Sequence, residues 1–271
     1  MLYSWLIMIT SAELLAYQAR PDLLAERVIL VTGAGRGIGR EVALAYGQHG
    51  ATVILLDKNI RDLESVYDAI EAAGGPQPAI YPMNLEGATW KDYVDLAANL
   101  EQNFARLDGL LQNAGWVGGL TPLRHYSPEQ WLRVTTINLQ APFMLLHTCL
   151  PLLELAADPA VVFSTHHVRR AYWGAYGVAK AGLAGLLDIL ADEYRGERSM
   201  RVNGIDTGTV RTLLRAENYP GEDPKQHPEP VQAVPAYLYL MGSDSAGISG
   251  QNFHLALTGD GDHEDHDAPA R

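Results

Sequence analysis

The stretch ERVILVTGAGRGIG, residues 26–39, constrains this chain more than any other. A short apolar run, Val28 to Val31, gives way to four glycines within seven positions, Gly33 to Gly39, and then to the helical periodicity of GIGREVALAYGQHG. A strand that ends in glycines and runs straight into a helix needs backbone conformations that glycine tolerates. It also places free helix N–H groups beside the strand end, where a phosphate can rest. The dinucleotide fingerprint with glycines at positions 1, 3 and 6 does not fit, because the sixth position is Ile38 counted from Gly33 and Arg40 counted from Gly35. The spacing that holds is Thr32-Gly33, three residues, then Gly37-Ile38-Gly39. The next β-branched run, ATVILLD, closes on Asp57, 20 residues after Gly37 (57 − 37), where a carboxylate can accept hydrogen bonds from ribose hydroxyls.

The same alternation continues down the chain. AIYPMNL, LDGLLQNAG, AVVFST and MRVNGID read as further strands. Between them lie NIRDLESVYDAIEAAGG, KDYVDLAANLEQNFA, PEQWLRVTTINLQAPFMLLHTCLPLLELA and YWGAYGVAKAGLAGLLDILADEY, all with helical periodicity. Strands that are apolar throughout, each followed by a helix, predict an α/β fold: a doubly wound parallel sheet covered on both faces, in a single domain. Residues 1–21 read as an N-terminal appendage and 22–257 as the domain. Residues 210–230 read as a lid over a substrate, irregular from Arg215 to Pro230, and 258–271 as an acidic, solvated tail. The apolar start, MLYSWLIMIT, has no basic flank and is too short to span a bilayer; translation from Leu14 or Leu15 is an alternative.

Composition narrows the function classes. A net charge of −12 argues against non-specific nucleic-acid binding, which needs a basic face. The single cysteine, Cys149, excludes an intrachain disulfide, sits in an apolar run and fits a cytoplasmic protein. No metal-ligand spacing stands out in the Asp/His-rich tail or at His166-His167.

Three motifs in chain order resemble the short-chain dehydrogenase/reductase family: Thr32-Gly33-x-x-x-Gly37-x-Gly39, Asn113-Ala114-Gly115 after the fourth strand, and Tyr176-x-x-x-Lys180. The resemblance covers about residues 22 to 256, and WGAY, LADEY and LYLMG are similar to the YciK-type bacterial oxidoreductases. It implies a Rossmann-type domain that moves a hydride between NAD or NADP and a carbonyl or alcohol, with no membrane and with homodimers or homotetramers. On this resemblance Tyr176 is the general acid/base, Lys180 lowers its pKa and binds the nicotinamide ribose, and the backbone of Asn138 holds a relay water. Gly33, Arg36, Gly37, Ile38, Gly39 and Asp57 would hold the pyrophosphate and adenosine ribose; Asn84, Leu85, Asn113, Ala114 and Gly115 the adenosine side; Gly208, Val210 and Thr212 the carboxamide and a phosphate. Asp57 would repel a 2′-phosphate and favours NAD, whereas Arg36 and Lys58 would pair with that phosphate and favour NADP; the balance leans to NAD.

Two positions depart from the family pattern. Thr207-Gly208 stands where the family has Pro-Gly, which predicts a looser turn. The family's catalytic serine has no clear counterpart: counting from Val162-Phe163 gives His167, and counting back from Tyr176 gives Ser164. An imidazole of His166 or His167, or a hydroxyl of Ser164 or Thr165, could polarise the substrate oxygen. With none of these in place, the chain would be a catalytically weak or inactive nucleotide-binding regulatory protein. The charged lid and Arg169-Arg170 leave an anionic substrate open, and Gly174, Gly177, Gly182 and Gly185 suit close helix packing between subunits.

Overall fold

A computed structural model describes residues 9–196, 200–255 and 257. Residues 1–8 of the expected appendage and the acidic tail at 258–271 lie outside the described residues. Seven parallel strands form one sheet in the order β3-β2-β1-β4-β5-β6-β7. They are β1 Val28–Thr32, β2 Thr52–Asp57, β3 Ala79–Pro82, β4 Gly109–Gln112, β5 Ala160–Ser164, β6 Arg201–Asp206 and β7 Gln251–His254. The helices are α1 Ser11–Leu15, α2 Gly37–Gln48, α3 Ile60–Ala72, α4 Trp90–Phe104, α5 Pro128–Thr135, α6 Ala141–Leu153, α7 Gly174–Glu193, α8 Leu213–Asn218 and α9 Val234–Met241.

The all-apolar strand runs are explained by burial on both faces. One core packs α2, α3 and α9 against Ile29, Val31, Val53, Leu55 and Val162. The other packs α4, α6 and α7 against Leu30, Ile54, Leu110, Val161 and Phe163. In register, Leu111 pairs with Val31 on one side and Val162 on the other. Strand order reverses between β1 and β4, and a crevice opens there at the carboxyl ends of the strands.

Three local features differ from the sequence expectation. β7 went unread because QNFH is polar, exposed and at the sheet edge, so it carries no apolar run. The helix expected from residue 128 to 156 is interrupted by a π turn, Thr136–Gln140, where the N–H of Ala141 reaches back five residues to the Thr136 carbonyl. Before β1, α1 packs against α9 and buries Leu14 completely, while Ser11 Oγ donates to the His254 carbonyl at 2.6 Å. By length and apolar composition α7 could cross a membrane, but half of it is buried as a core helix beside the sheet.

Candidate active site

The turn after β1 takes the shape its glycines permit. Gly33 and Gly37 have φ of 66° and 55°, in the left-handed region. A Cβ on Gly39 would stand 2.1 Å from the Gly33 carbonyl oxygen, so only glycine lets α2 start this close to the strand. Asn113 closes the turn from β4, its backbone N–H donating to Thr32 Oγ1 at 2.9 Å and its Nδ2 to the Thr32 carbonyl at 3.1 Å. The N-terminus of α2 has no side-chain cap, so its free N–H groups face the crevice. At the end of β2, Asp57 accepts the backbone N–H of Asn59 at 3.2 Å and that of Gly35 at 3.4 Å. Arg36, paired with Asp62, and Lys58 line the same end.

Across the sheet, α7 carries Tyr176 and Lys180 one turn apart, each only 5% exposed. Lys180 Nζ donates to the Ser164 carbonyl at 2.7 Å and lies 5.6 Å from the centre of the Tyr176 ring. The Tyr176 hydroxyl meets His166 Nδ1 at 3.3 Å. Trp173 packs beside both, its ring centre 5.3 Å from that of His166 and 5.6 Å from that of Tyr176.

The four strand-end candidates go to different tasks. Ser164 lines the cleft, but its Oγ is engaged with Asn113 Oδ1 at 3.2 Å and Tyr237 Oη at 2.9 Å. Thr165 Oγ1 donates to Asn252 Oδ1 at 2.6 Å. His167 is exposed, and its backbone N–H donates to Asp206 at 2.8 Å. It is His166 whose ring nitrogen stands by the phenol, one position short of the count from Val162-Phe163. β5 ends at Ser164, so strand alternation does not extend to the histidines.

Burial dominates the electrostatics. It pulls His166 down to about 4 and Lys180 to about 8, with Asp206 partly offsetting each. It pushes the Tyr176 phenol well up, and Asp206 adds to that. The lowering of the tyrosine expected from Lys180 does not appear: desolvation raises the phenol and the Asp206 charge adds to it. Burial opposes charge on Asp206 too, but a hydrogen bond from His254, the charge of His166 and the N–H groups of His167 and Gly208 hold it at about 2. Around neutral pH the site therefore holds a neutral phenol, a neutral imidazole, an ammonium and a carboxylate.

The family model for short chain dehydrogenase matches residues 27–223. The chain belongs to the short-chain dehydrogenase/reductase family. The Escherichia coli (strain K12) protein named uncharacterized oxidoreductase YciK is 42% identical over 240 residues, covering 88% of this chain and 94% of its own length. A short chain dehydrogenase structure from Pseudomonas syringae is 48% identical with a TM-score of 0.86, covering 88% of this chain and 98% of that one. One from Shigella flexneri 2a strain 301, complexed with NADP, is 41% identical with a TM-score of 0.84, covering 87% and 99%.

In this short-chain dehydrogenase/reductase, one cleft of about 370 Å³ is lined by most of the residues expected there. These are Gly33, Arg36, Gly37, Ile38, Asp57, Asn113, Ala114, Gly115, Tyr176, Lys180, Gly208, Val210 and Thr212. Gly39, Asn84, Leu85 and Asn138 lie outside the lining. Gly39 is covered by the turn it permits. Asn84 is exposed and its Oδ1 accepts the N–H of Glu86, while Leu85 packs in the core between sheet and helices. Asn138, fully buried in the π turn, braces the loop after β4: Nδ2 donates to the carbonyls of Trp116 and Val134, and Oδ1 accepts the Trp116 N–H. The Thr207-Gly208 turn is pinned rather than loose, because Asp206 Oδ1 accepts the Gly208 N–H at 2.9 Å. Sequence reasoning missed Asp206, Trp116, Trp173 and Tyr219. The signals were present in RVNGIDTG, where an acid ends a buried strand, in Trp116 shortly after β4, and in Trp173 and Tyr219 at the ends of α7 and α8.

Proposed function

We propose that this short-chain dehydrogenase/reductase interconverts a carbonyl and an alcohol using NADP, with Tyr176 as general acid/base and His166 in the place the family gives to serine. The observation that carries this reading is the contact between His166 Nδ1 and Tyr176 Oη at 3.3 Å, on the floor of a cleft that continues to the glycine turn. NADPH would supply the hydride to the carbonyl carbon as Tyr176 Oη gives its proton to the oxygen, leaving the alcohol and NADP+; oxidation is the reverse. Part-buried His166, neutral at pH 7, passes a proton to or from the phenol or donates to the substrate oxygen, according to its tautomer. Lys180 supplies the positive charge that favours phenolate once its ammonium is drawn toward the cofactor ribose. Gly115 lies beside it and is tight against Asn138, whose Oδ1 would stand 3.0 Å from a Cβ placed there.

The residues fit a pyridine nucleotide. The uncapped start of α2 and the left-handed glycines would take the pyrophosphate, and Thr212 faces them, 3.3 Å from where a Gly37 Cβ would be. The preference for NAD, drawn from weighing Asp57 against Arg36 and Lys58, gives way to NADP in this reading. The Asp57 carboxylate is occupied by two backbone N–H groups, Arg36 and Lys58 line the same pocket, and a related structure is complexed with NADP and another with NADPH. A cytoplasmic homodimer or homotetramer belongs to the same reading. It is supported by the exposed Phe143 on α6 and Val178 and Ile189 on α7, and light scattering tests it.

The deciding experiment titrates NADPH and NADH by fluorescence and then follows NADPH oxidation over a carbonyl panel with the unmodified chain and Tyr176→Phe. The reading expects NADPH to bind more tightly than NADH and turnover to vanish in Tyr176→Phe with binding intact. Tight binding without turnover in the unmodified chain would favour the inactive nucleotide-binding alternative, which the histidine in the serine's place supports.

A further inference from the structure

One wall of the cleft takes no part in the chemistry above. It is formed by Trp116, Val117, Trp173, Leu213, Leu214 and Tyr219, drawn from the loop after β4, the start of α7 and α8 with its C-terminal cap. The Trp173 and Tyr219 ring centres are 6.4 Å apart, and Trp173 continues to the rings of Tyr176 and His166. An apolar, aromatic surface therefore runs from the mouth of the cleft up to the reacting hydroxyl.

The two arginines nearest α8 are already paired with carboxylates. The Arg215 guanidinium lies 3.6 Å over the Tyr219 ring and makes two hydrogen bonds to Glu222, at 2.7 and 2.6 Å. Arg211 pairs with Glu229, and Lys180 donates to the Ser164 carbonyl. Glu217 adds a negative charge to the same stretch of lining. Arg170 lies 5.8 Å from the Trp173 ring, and among the described residues neither it nor Arg169 lines the cleft. A carboxylate or phosphate entering here would shed its water and meet guanidinium groups already paired, a net cost. A flat apolar ring would lose little and gain stacked contact area.

We propose that the substrate is an uncharged, ring-bearing ketone or the corresponding secondary alcohol, its ring lying against Trp173 and Tyr219 and its oxygen on Tyr176 Oη. This rests on the oxidoreductase reading above. The anionic substrate left open by the sequence is set aside because Arg211 and Arg215 are paired with carboxylates and neither Arg169 nor Arg170 lines the cleft.

The test uses the full chain. NADPH is titrated first. Turnover is then compared for indanone, for indanone carrying a ring carboxylate, and for a linear nonanone of the same carbon count. The expected result is a kcat/KM for indanone about tenfold or more above both others. Tyr219→Ala is expected to raise KM for indanone about tenfold while leaving that for nonanone within about twofold and NADPH affinity unchanged. Equal or better turnover of the carboxylate or of nonanone overturns the proposal, as does a Tyr219→Ala effect common to all three ketones. If NADPH binds but none is turned over, the proposal still requires indanone to quench tryptophan fluorescence in the unmodified chain and not in Tyr219→Ala; no quenching overturns it. Failure of NADPH to bind strikes the oxidoreductase reading itself, before any ketone is added, and the substrate class falls with it.

Discussion

The buried carboxylate of Asp206 holds the backbone N–H of His167 at 2.8 Å, and its other oxygen holds that of Gly208 at 2.9 Å. One side chain at the end of β6 thus fixes both the loop that presents His166 and the loop that follows Thr207. Its pKa is held near 2, below the ordinary 3.8, so it contributes stability above pH 3.8 that is lost as the pH falls toward 2. That contribution is about 2 kcal/mol. Asp206→Asn keeps the shape but loses an acceptor. It should lower kcat about tenfold and flatten the acid end of a pH–stability curve, measured by urea unfolding between pH 2 and 4.

His166 acts in the same sense but in a different pH window. Its folded pKa, about 4, lies below the ordinary 6.5, so the unfolded chain takes up a proton first as the pH drops. Stability should therefore fall from pH 6.5 to 4, by about 3 kcal/mol from this group. His254, raised by its bond to Asp206, acts against that trend. The difference between the unmodified chain and His166→Gln isolates the term. Urea midpoints that converge at pH 4 and diverge at pH 7, with the unmodified chain more stable, are the expected pattern.

If the imidazole takes part in proton transfer, its removal should strike kcat rather than binding. His166→Ala is expected to lower kcat about 10- to 100-fold and leave NADPH affinity within about twofold. His166→Ser restores a donor at the place the family uses and should recover part of the loss. Steady-state kinetics beside an NADPH titration checks both.

Arg36 and Lys58 flank the Asp57 end of the cleft, and the NADP reading gives them the 2′-phosphate. Arg36→Ala combined with Lys58→Ala should weaken NADPH binding about 10- to 100-fold and change NADH binding little. Fluorescence titration of both nucleotides decides it. Equal losses for both would mean that these cations do not discriminate.

Leu14 is fully buried although it lies before the first strand. Leu14→Ala should destabilise the domain by about 2–4 kcal/mol. A chain starting at Leu15 should lose at least as much, since it also gives up the Ser11 bond to β7. Thermal unfolding of both variants measures the cost.

Much of this was legible in the sequence because a few local rules apply without tertiary context. The apolar strand runs, the glycine turn and the Tyr176/Lys180 spacing each follow from backbone geometry or helix periodicity. What escaped depended on which way a chain turns after a strand ends. The strand register of Ser164 to His167 could not be counted, because the regular pleat stops at Ser164. Asn84 and Leu85 were expected at the adenosine, but neither lines the cleft: Asn84 Oδ1 accepts the Glu86 N–H and Leu85 packs into the core. β7 has no apolar pattern and exists because β6 leaves an edge for it to pair with.

The π turn at Thr136–Gln140 has a further consequence. It stores one residue more than an α-helical path would need, and each residue in a helix advances the facing direction by about 100°. Deleting one residue here would let the segment close into a continuous α-helix with Leu145, Leu146, Cys149, Leu152 and Leu153 still facing the sheet. What would go is the bulge that seats Asn138 against Trp116 and Val134. A one-residue gap placed here when related chains are aligned would be the loss of a brace behind the cleft, not a trimmed loop.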